Sequence, residues 1–371
     1  MNNSYVSSVK LPDYFLWEGL KNRRNLQSFE IELTARCNNN CRHCYINVPQ
    51  KDKKAIKKEL PLKDLKPVID EAVSLGALWC LITGGESLLR EDFFDFYLYL
   101  KKKGLLVSVF TNATLITEEH VKFFRKYPPR DIEITVYGVT EKTYEAVSRK
   151  KGSFNGFMKG LELLLKNDIK VRLKAMALRS NVGELPEIAS FCREITKDYF
   201  RFDPFLHFRF DRNKKRNEEI KSERLSKEEI IEIEKNDPER LKFLEESCKK
   251  IIIAEGSTNN SGYLFRCSAG NVSFTLGYDG YFRLCSSLVR KDCIYDLKTG
   301  NLTEAWNNFI PSVKSMTSKS EEFLNTCRKC SIINLCSWCP AYADLETSEM
   351  DRPIDYFCNV AHSRVRAFNE I

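Results

Sequence analysis

No apolar run in this sequence approaches the roughly 18 residues that a membrane span needs, so no transmembrane helix is expected. The first ten residues, Met1 to Lys10, lack the apolar core and small-residue cleavage site of a secretory signal. Internal repeats and low-complexity tracts are also missing, and 43% hydrophobic residues argue against disorder. No long block of like charge occurs: 59 Lys and Arg face 51 Asp and Glu, and the excess of +8 is spread along the chain. These absences predict a cytoplasmic protein with neither a membrane nor a nucleic-acid partner. One local patch, Lys51, Lys53, Lys54, Lys57 and Lys58, reads either as a solvated loop face or as a docking site for an acidic peptide.

What the sequence does have is length and cysteine. At 371 residues it can form one large barrel plus an appendage. Fourteen cysteines are hard to read as disulfides in a reducing compartment, and their clustering points to metal sites. From Ser28 to about Phe208, β-branched or aromatic runs alternate with helical patterns, the rhythm of βα units around a parallel sheet. Six strands are expected at Phe29–Thr34, Leu78–Thr83, Leu105–Thr111, Ile132–Tyr137, Ile169–Ala177 and Phe200–Phe208, with helices such as Leu62–Leu75, Glu91–Lys103 and Phe154–Asn167 between them. Six units fall short of the eight of a closed barrel, so the expected fold is α/β, a partial (β/α)6 TIM-like barrel with its reactive groups at the C-terminal strand ends.

The expected divisions are an N-terminal extension over 1–27, the barrel over 28–210, a charged helical bridge over 211–250 and a cysteine-rich region over 251–371. In the bridge, Ser226 with Glu229 forms a capping-box signature and Asp237-Pro238 supplies a second helix start, which predicts two short helices. The last region lacks long periodic segments and reads as a small domain held by metal more than by a large apolar core. Cys80 and Cys192 fall within strand and helix patterns, as ordinary core thiols.

Cys37, Cys41 and Cys44 directly follow the first strand, on a loop at the barrel's reactive end. Three thiolates on a four-iron cluster leave one iron free to bind a substrate or cofactor. Zinc would need a fourth ligand, for which His43 is poorly placed. This C-x3-C-x2-C, with an aromatic residue before its last cysteine, resembles the signature of the radical S-adenosylmethionine superfamily. The resemblance implies that the open iron chelates the amino and carboxylate groups of the methionine moiety, and that reduction releases a 5′-deoxyadenosyl radical. By the same likeness, Gly84, Gly85 and Glu86 would hold the methionine amino group, with the Glu86 carboxylate accepting from the ammonium. Ser87 stands where relatives usually have Pro. Thr111-Asn112-Ala113 resembles the family's Thr-Asn-Gly, Thr135 matches a Ser or Thr near the carboxylate or ribose, and Arg149 would be a basic partner for the carboxylate. A capped or buried strand end is the plain alternative for Thr111, Asn112 and Thr135.

Near the C-terminus, Cys267, Cys285, Cys327, Cys330, Cys336, Cys339 and Cys358 resemble in order and spacing the SPASM extension of radical enzymes, which carries auxiliary iron–sulfur clusters. That likeness implies one four-iron cluster on Cys327, Cys330, Cys336 and Cys358, and a second on Cys267, Cys285 and Cys339. The second set is one thiolate short; Cys248 or Cys293 could complete it, or one iron stays open. A zinc ribbon is the rival reading, since two C-x2-C pairs can bind zinc, and Cys248 is also in register with a buried helical face.

The implied activity is that of an enzyme abstracting hydrogen from a ribosomally made precursor peptide, to form a thioether, a carbon–carbon crosslink or a backbone rearrangement. A ferredoxin or flavodoxin would supply electrons. The stretch before Ser28 is too short for a winged-helix leader-binding module, so a separate leader-recognition protein is a candidate partner. Sulfatase maturation is disfavoured, because Ser286 and Ser287 follow Cys285 where those enzymes carry an Asp base; Asp279 reads as a turn residue. The alternatives are maturation of a small cofactor such as a tetrapyrrole, or a non-catalytic iron–sulfur or zinc protein.

Overall fold

The computed structural model describes residues 24–196, 200–251, 262–333 and 335–368, and the side chains of 247–251 lie outside the description. Most of the expected N-terminal extension and the thiol of Cys248 therefore lie outside the described residues.

Strand β1 (Ser28–Thr34) alternates Phe29, Ile31 and Leu33, all buried, with Glu30 and Glu32. Its apolar face packs under helices while its acidic face turns toward the barrel interior. The chain then forms the short strands β2 (Arg36–Cys37) and β3 (Val48–Pro49), followed by helices α1 (Lys53–Lys58) and α2 (Leu62–Ser74). In α2, Leu65, Val68, Ile69 and Ala72 recur at helical spacing and cover the sheet. Strands β4 (Trp79–Gly84), β5 (Leu106–Thr111), β6 (Asp131–Val136), β7 (Val171–Met176) and β8 (Phe202–Asp203) alternate with α3 (Phe93–Lys102), α4 (Glu118–Lys126), α5 (Glu141–Ser148), α6 (Ser153–Lys166) and α7 (Leu185–Ile195). Strands β1, β4, β5, β6, β7 and β8 lie side by side in that order, all parallel. This is an open six-unit barrel. The sixth strand is much shorter than the expected Phe200–Phe208, because Pro204 has no N–H to continue the ladder.

The bridge holds three helices where two were expected: α8 (Lys214–Glu223), α9 (Lys227–Lys235) and α10 (Pro238–Ile251). Helix α8 carries no apolar stripe, only the buried Ile220 and an Asn213 cap, so its periodicity was silent. The Ser226 and Glu229 capping box forms as read, and Asp237 accepts from the Arg240 N–H. The buried Glu234 ties α9 to the C-terminal helix Asp355–Phe368 through Arg364 at 2.7 Å.

The cysteine-rich region departs from the expectation of a unit held chiefly by metal. Its strand β9 (Ser273–Leu276) pairs parallel to β1 at the free edge of the barrel, and β10 (Tyr281–Arg283) and β11 (Ile294–Asp296) follow antiparallel, making one nine-stranded sheet. Phe274 stacks on Phe29 at 5.5 Å, and Phe282, Leu302, Ile310 and Phe323 join the barrel's own core. Short apolar strands gave no periodic signal, yet they bury against an edge that was already apolar. Buried Arg283 on β10 also pairs with Glu32 on β1. Among the described residues, no helix is long and apolar enough to cross a membrane.

Candidate active site

The loop carrying Cys37, Cys41 and Cys44 starts where β1 ends, and the pairing of Cys37 with Pro49 between β2 and β3 closes its base. It has little regular structure, so its backbone polar groups need partners from elsewhere. Three arginines supply donors: Arg149 Nε to the Asn40 carbonyl (2.7 Å), Arg216 Nη2 to the Cys41 carbonyl (2.9 Å) and Arg209 Nη1 to the Cys44 carbonyl (3.0 Å). The N–H groups of Asn40 and Arg42 donate to the Ser148 and Val147 carbonyls at the end of α5. The loop is thus gripped from outside, and all three thiols line a cavity of about 460 Å³ in the barrel mouth. Burial pushes the thiol of Cys41 up to about 12 and raises those of Cys37 and Cys44. A bound metal would have to draw those protons off.

The same cavity is lined by Gly84, Gly85, Thr111, Asn112 and Thr135. At Gly85 a Cβ would lie 2.2 Å from the Arg36 carbonyl, so only glycine lets β4 pass so close under the cysteine strand. Asn112 reaches toward the cluster loop, donating to Asn38 Oδ1 at 2.9 Å. Ala113, in place of the family's glycine, does adopt a left-handed conformation at φ 63°.

Two of the expected cofactor contacts, Glu86 and Arg149, lie outside the cavity lining. Glu86 is fully buried behind the cavity wall, where its carboxylate accepts from the Thr111 hydroxyl (2.8 Å), the Asn112 N–H (2.8 Å) and the Leu88 N–H (3.2 Å). With those donors it pins the ends of β4 and β5 together, and it is not among the residues lining the cavity. Arg149 does not line the cavity either; it caps α5 in a left-handed conformation, pairs with Glu219 at 3.0 Å and holds the loop from behind.

Several residues escaped the sequence reading. Glu30, Glu133, Lys174 and Asp203 line the deeper cavity, with Lys174 paired to Glu133 and lying over the Phe110 ring at 3.8 Å. Burial lowers the Lys174 ammonium, against the pull of Glu133. Charged residues at inward strand positions were the available signal. Arg209 and Arg216 had none, being distant in sequence from the loop they hold.

The C-terminal cysteines fall into two groups. Cys327, Cys330, Cys336 and Cys358 line one cavity of about 240 Å³. Cys267, Cys285 and Cys339 are near enough for each to bear on the charge of another. Cys339 caps the helix Pro340–Thr347, its Sγ accepting from the Tyr342 N–H at 3.4 Å, but burial outweighs this bond and pushes the thiol up to about 12. Cys293 does not join them: it is buried, 3.9 Å from the Met316 sulfur. Cys80 and Cys192 are core thiols. Ser286 and Ser337, beside Cys285 and near Cys339, line the same cavity as the first triad, as does Tyr342. His207 links the two cysteine-bearing loops, stacking on Tyr342 at 4.9 Å and meeting Tyr45 at 4.7 Å. Asp279 sits in the turn between β9 and β10 and lines no described cavity.

The residues fit a four-iron cluster with S-adenosylmethionine on three counts. The donor set at the mouth is three soft thiols, with no fourth beside them among the described residues. Asn39 is buried in the cavity wall with both amide atoms unpaired, and His43, which burial lowers to about 4 and so keeps neutral, also has an unpaired Nδ1. Among the described residues, no three His, Cys, Asp or Glu side chains converge on the single point that one metal ion would occupy. A four-iron cluster instead spreads its thiolates around a cube.

Known proteins agree with this geometry. Residues 31–192 match the Radical SAM superfamily. The chain is 30% identical over 187 residues to Fe-coproporphyrin III synthase of Methanosarcina barkeri, covering 50% of this chain and 45% of that protein. It is 28% identical over 174 residues to the antilisterial bacteriocin subtilosin biosynthesis protein AlbA of Bacillus subtilis, covering 47% of this chain and 38% of that protein. The matches therefore span less than half the length of these curated relatives. Streptococcus suis SuiB bound to its precursor peptide SuiA shares the fold, with a TM-score of 0.69 at 15% identity over 96% of this chain and 83% of that one. With its cysteine triad at the mouth of an open six-stranded barrel, this chain is similar over residues 31–192 to the Radical SAM superfamily.

Proposed function

We propose that this chain cleaves S-adenosylmethionine reductively and modifies a ribosomally synthesised peptide. The observation that carries this reading is the single cavity, which runs from Cys37, Cys41 and Cys44 to Ser286 and Ser337 beside the second cysteine group. When bound and reduced at the triad, the cofactor supplies a 5′-deoxyadenosyl radical that takes a hydrogen atom from an unactivated carbon. Cys37, Cys41 and Cys44 hold the cluster. The close backbone at Gly84 and Gly85, with Asn39, Asn112, Thr111 and Thr135, orients the nucleotide. Tyr45, His207 and Tyr342 wall the space between the two metal loops and keep water from it.

The two C-terminal cysteine groups would hold auxiliary four-iron clusters, the complete set on Cys327, Cys330, Cys336 and Cys358 and the open set on Cys267, Cys285 and Cys339. A cluster beside the cavity is suited to accept the electron left on a substrate radical, or to ligate a substrate thiolate. This division of labour fits a barrel over 28–210 joined by the bridge over 211–250 to the cysteine region. A relative named for subtilosin biosynthesis and a neighbour solved with a precursor peptide support a peptide substrate.

A second reading, tetrapyrrole maturation, has its own support in the similarity to Fe-coproporphyrin III synthase. The cavity's charge favours the first: Glu30, Glu133 and Asp203 outnumber Lys174, and a tetrapyrrole would bring further carboxylates. Anaerobic reconstitution with iron and sulfide tests the chemistry, with 5′-deoxyadenosine released from S-adenosylmethionine and reductant. Mass spectrometry of a short peptide encoded beside the chain and co-expressed with it tests the substrate. A mass change in coproporphyrin and none in any such peptide would reverse the order of the two readings.

A further inference from the structure

We propose that helix α1 and the loop before it form the docking surface for an acidic electron-transfer protein that reduces the cluster at Cys37, Cys41 and Cys44; this rests on the cluster reading of that triad. The segment holds five lysines, Lys51, Lys53, Lys54, Lys57 and Lys58, all exposed, around one exposed apolar side chain, Ile56. Its single acid, Asp52, is used up in capping the helix, accepting from the Ala55 N–H at 2.8 Å. None of the five lysines forms an ion pair with a described residue. A solvated lysine face needs no fixed relation to any site, but this one has such a relation.

Arg36, the neighbour of Cys37, clasps the segment at both ends. Its Nη1 donates to the Gln50 carbonyl at 3.0 Å, and its Nε and Nη2 donate to the two Glu59 oxygens at 2.6 and 3.0 Å. Between these, Pro49 pairs with Cys37 across β2 and β3, and the Asp52 N–H donates to the Pro49 carbonyl at 2.9 Å. The lysines are therefore fixed to the strand that carries the first cluster ligand, a few backbone spacings from it. The triad lines the inner cavity, and the pairing of Cys37 with Pro49 gives a short bonded route from this segment to the first cluster ligand. A positive surface steers an acidic donor to this segment, and lysine's strongly hydrated charge suits a transient encounter that releases after transfer. A membrane is a poorer fit, because the six-residue helix offers only Ile56 for insertion. One electron passes: the donor is oxidised by one, the cluster is reduced by one, and no bond or proton changes at the interface.

The test uses the full, anaerobically reconstituted chain and a low-potential flavodoxin as the probe. Wild type is compared with the charge-reversed variant Lys53→Glu, Lys54→Glu, Lys57→Glu, Lys58→Glu and with the same four positions changed to Gln. Binding is measured at low and raised salt, and cluster bleaching is followed by stopped flow with flavodoxin hydroquinone or with dithionite. The charge-reversed chain should bind flavodoxin and be reduced by it roughly tenfold or more slowly, with the Gln variant between. Iron content and dithionite reduction should stay unchanged. Wild-type binding and reduction by flavodoxin in the reversed chain would overturn the proposal, as would lysine-dependent binding to RNA or anionic vesicles with flavodoxin unaffected. A chain that loads no iron at the triad sinks the cluster reading and this proposal together; a loaded triad with indifferent lysines sinks the proposal alone.

Discussion

The two cysteine regions of this chain are built in opposite ways. The triad Cys37, Cys41 and Cys44 is placed by the protein: a strand end fixes its start, and Arg149, Arg209 and Arg216 hold its carbonyls. The quartet Cys327, Cys330, Cys336 and Cys358 sits on short turns and a helix, with Cys358 exposed; Cys330 and Cys336 pack on a small cluster of Leu244, Ile332, Leu335, Ala361 and Phe368, Cys336 also on Ile354 and Phe357, and Cys327 on the main core. The first site has a protein frame of its own, whereas a cluster at the second would contribute more to the fold around it. Placement by a frame suits chemistry that needs an open iron held at a fixed point.

The contrast can be broken most severely by replacing Cys37, Cys41 and Cys44 together with Ala. Release of 5′-deoxyadenosine should vanish and about four irons per chain should be lost, while circular dichroism and melting stay near wild type. Replacing Cys327, Cys330, Cys336 and Cys358 with Ala should remove a similar amount of iron but act on the fold. Hydrogen exchange should then rise across 321–368 and remain protected across 28–196, with cofactor cleavage by dithionite retained. A smaller change, Gly85→Ala, forces a Cβ to within 2.2 Å of the Arg36 carbonyl, so S-adenosylmethionine should bind roughly tenfold or more weakly in equilibrium dialysis.

Arg209→Ala sharpens the comparison on the protein's side. It removes donors to the Cys44 and Asn47 carbonyls and to Asn47 Oδ1, and should cost about 2 kcal/mol in urea unfolding while halving, or worse, the iron retained at the triad alone. The smallest effect concerns Glu184, just before α7, which accepts from the start of α5, the helix whose far end holds the loop. Burial pushes its carboxyl up, but hydrogen bonds from Thr140, Thr143 and the Val139 N–H outweigh this and hold it below its ordinary value of 4.5. A lowered carboxyl stabilises fully above that value and less as pH falls through the lowered one. Glu184→Gln should therefore melt slightly below wild type at pH 7, and the gap should close on acidification below about pH 4.

Legibility in the sequence followed the range of the interactions. The triad, the strands and the capping box are local patterns and could be read. The two cysteine groups were separable through the resemblance, and the structure brings the same residues together. For Glu86 the motif reported the strand end but not the Thr111, Asn112 and Leu88 donors that surround its buried carboxylate. Arg209 could not be read at all: its partner Cys44 is 165 residues away, and nothing around it repeats. The union of β9 with β1 was hidden for the same reason, since a four-residue apolar strand acquires meaning only beside the edge it covers.

The central claim is that the triad holds a cluster with one iron left for S-adenosylmethionine, and electron paramagnetic resonance of the reduced, anaerobic protein tests it most directly. The account predicts that adding S-adenosylmethionine shifts one cluster signal only, and that this signal is absent from Cys37→Ala. A spectrum indifferent to the nucleotide, or a responsive signal that survives in Cys37→Ala, would contradict it.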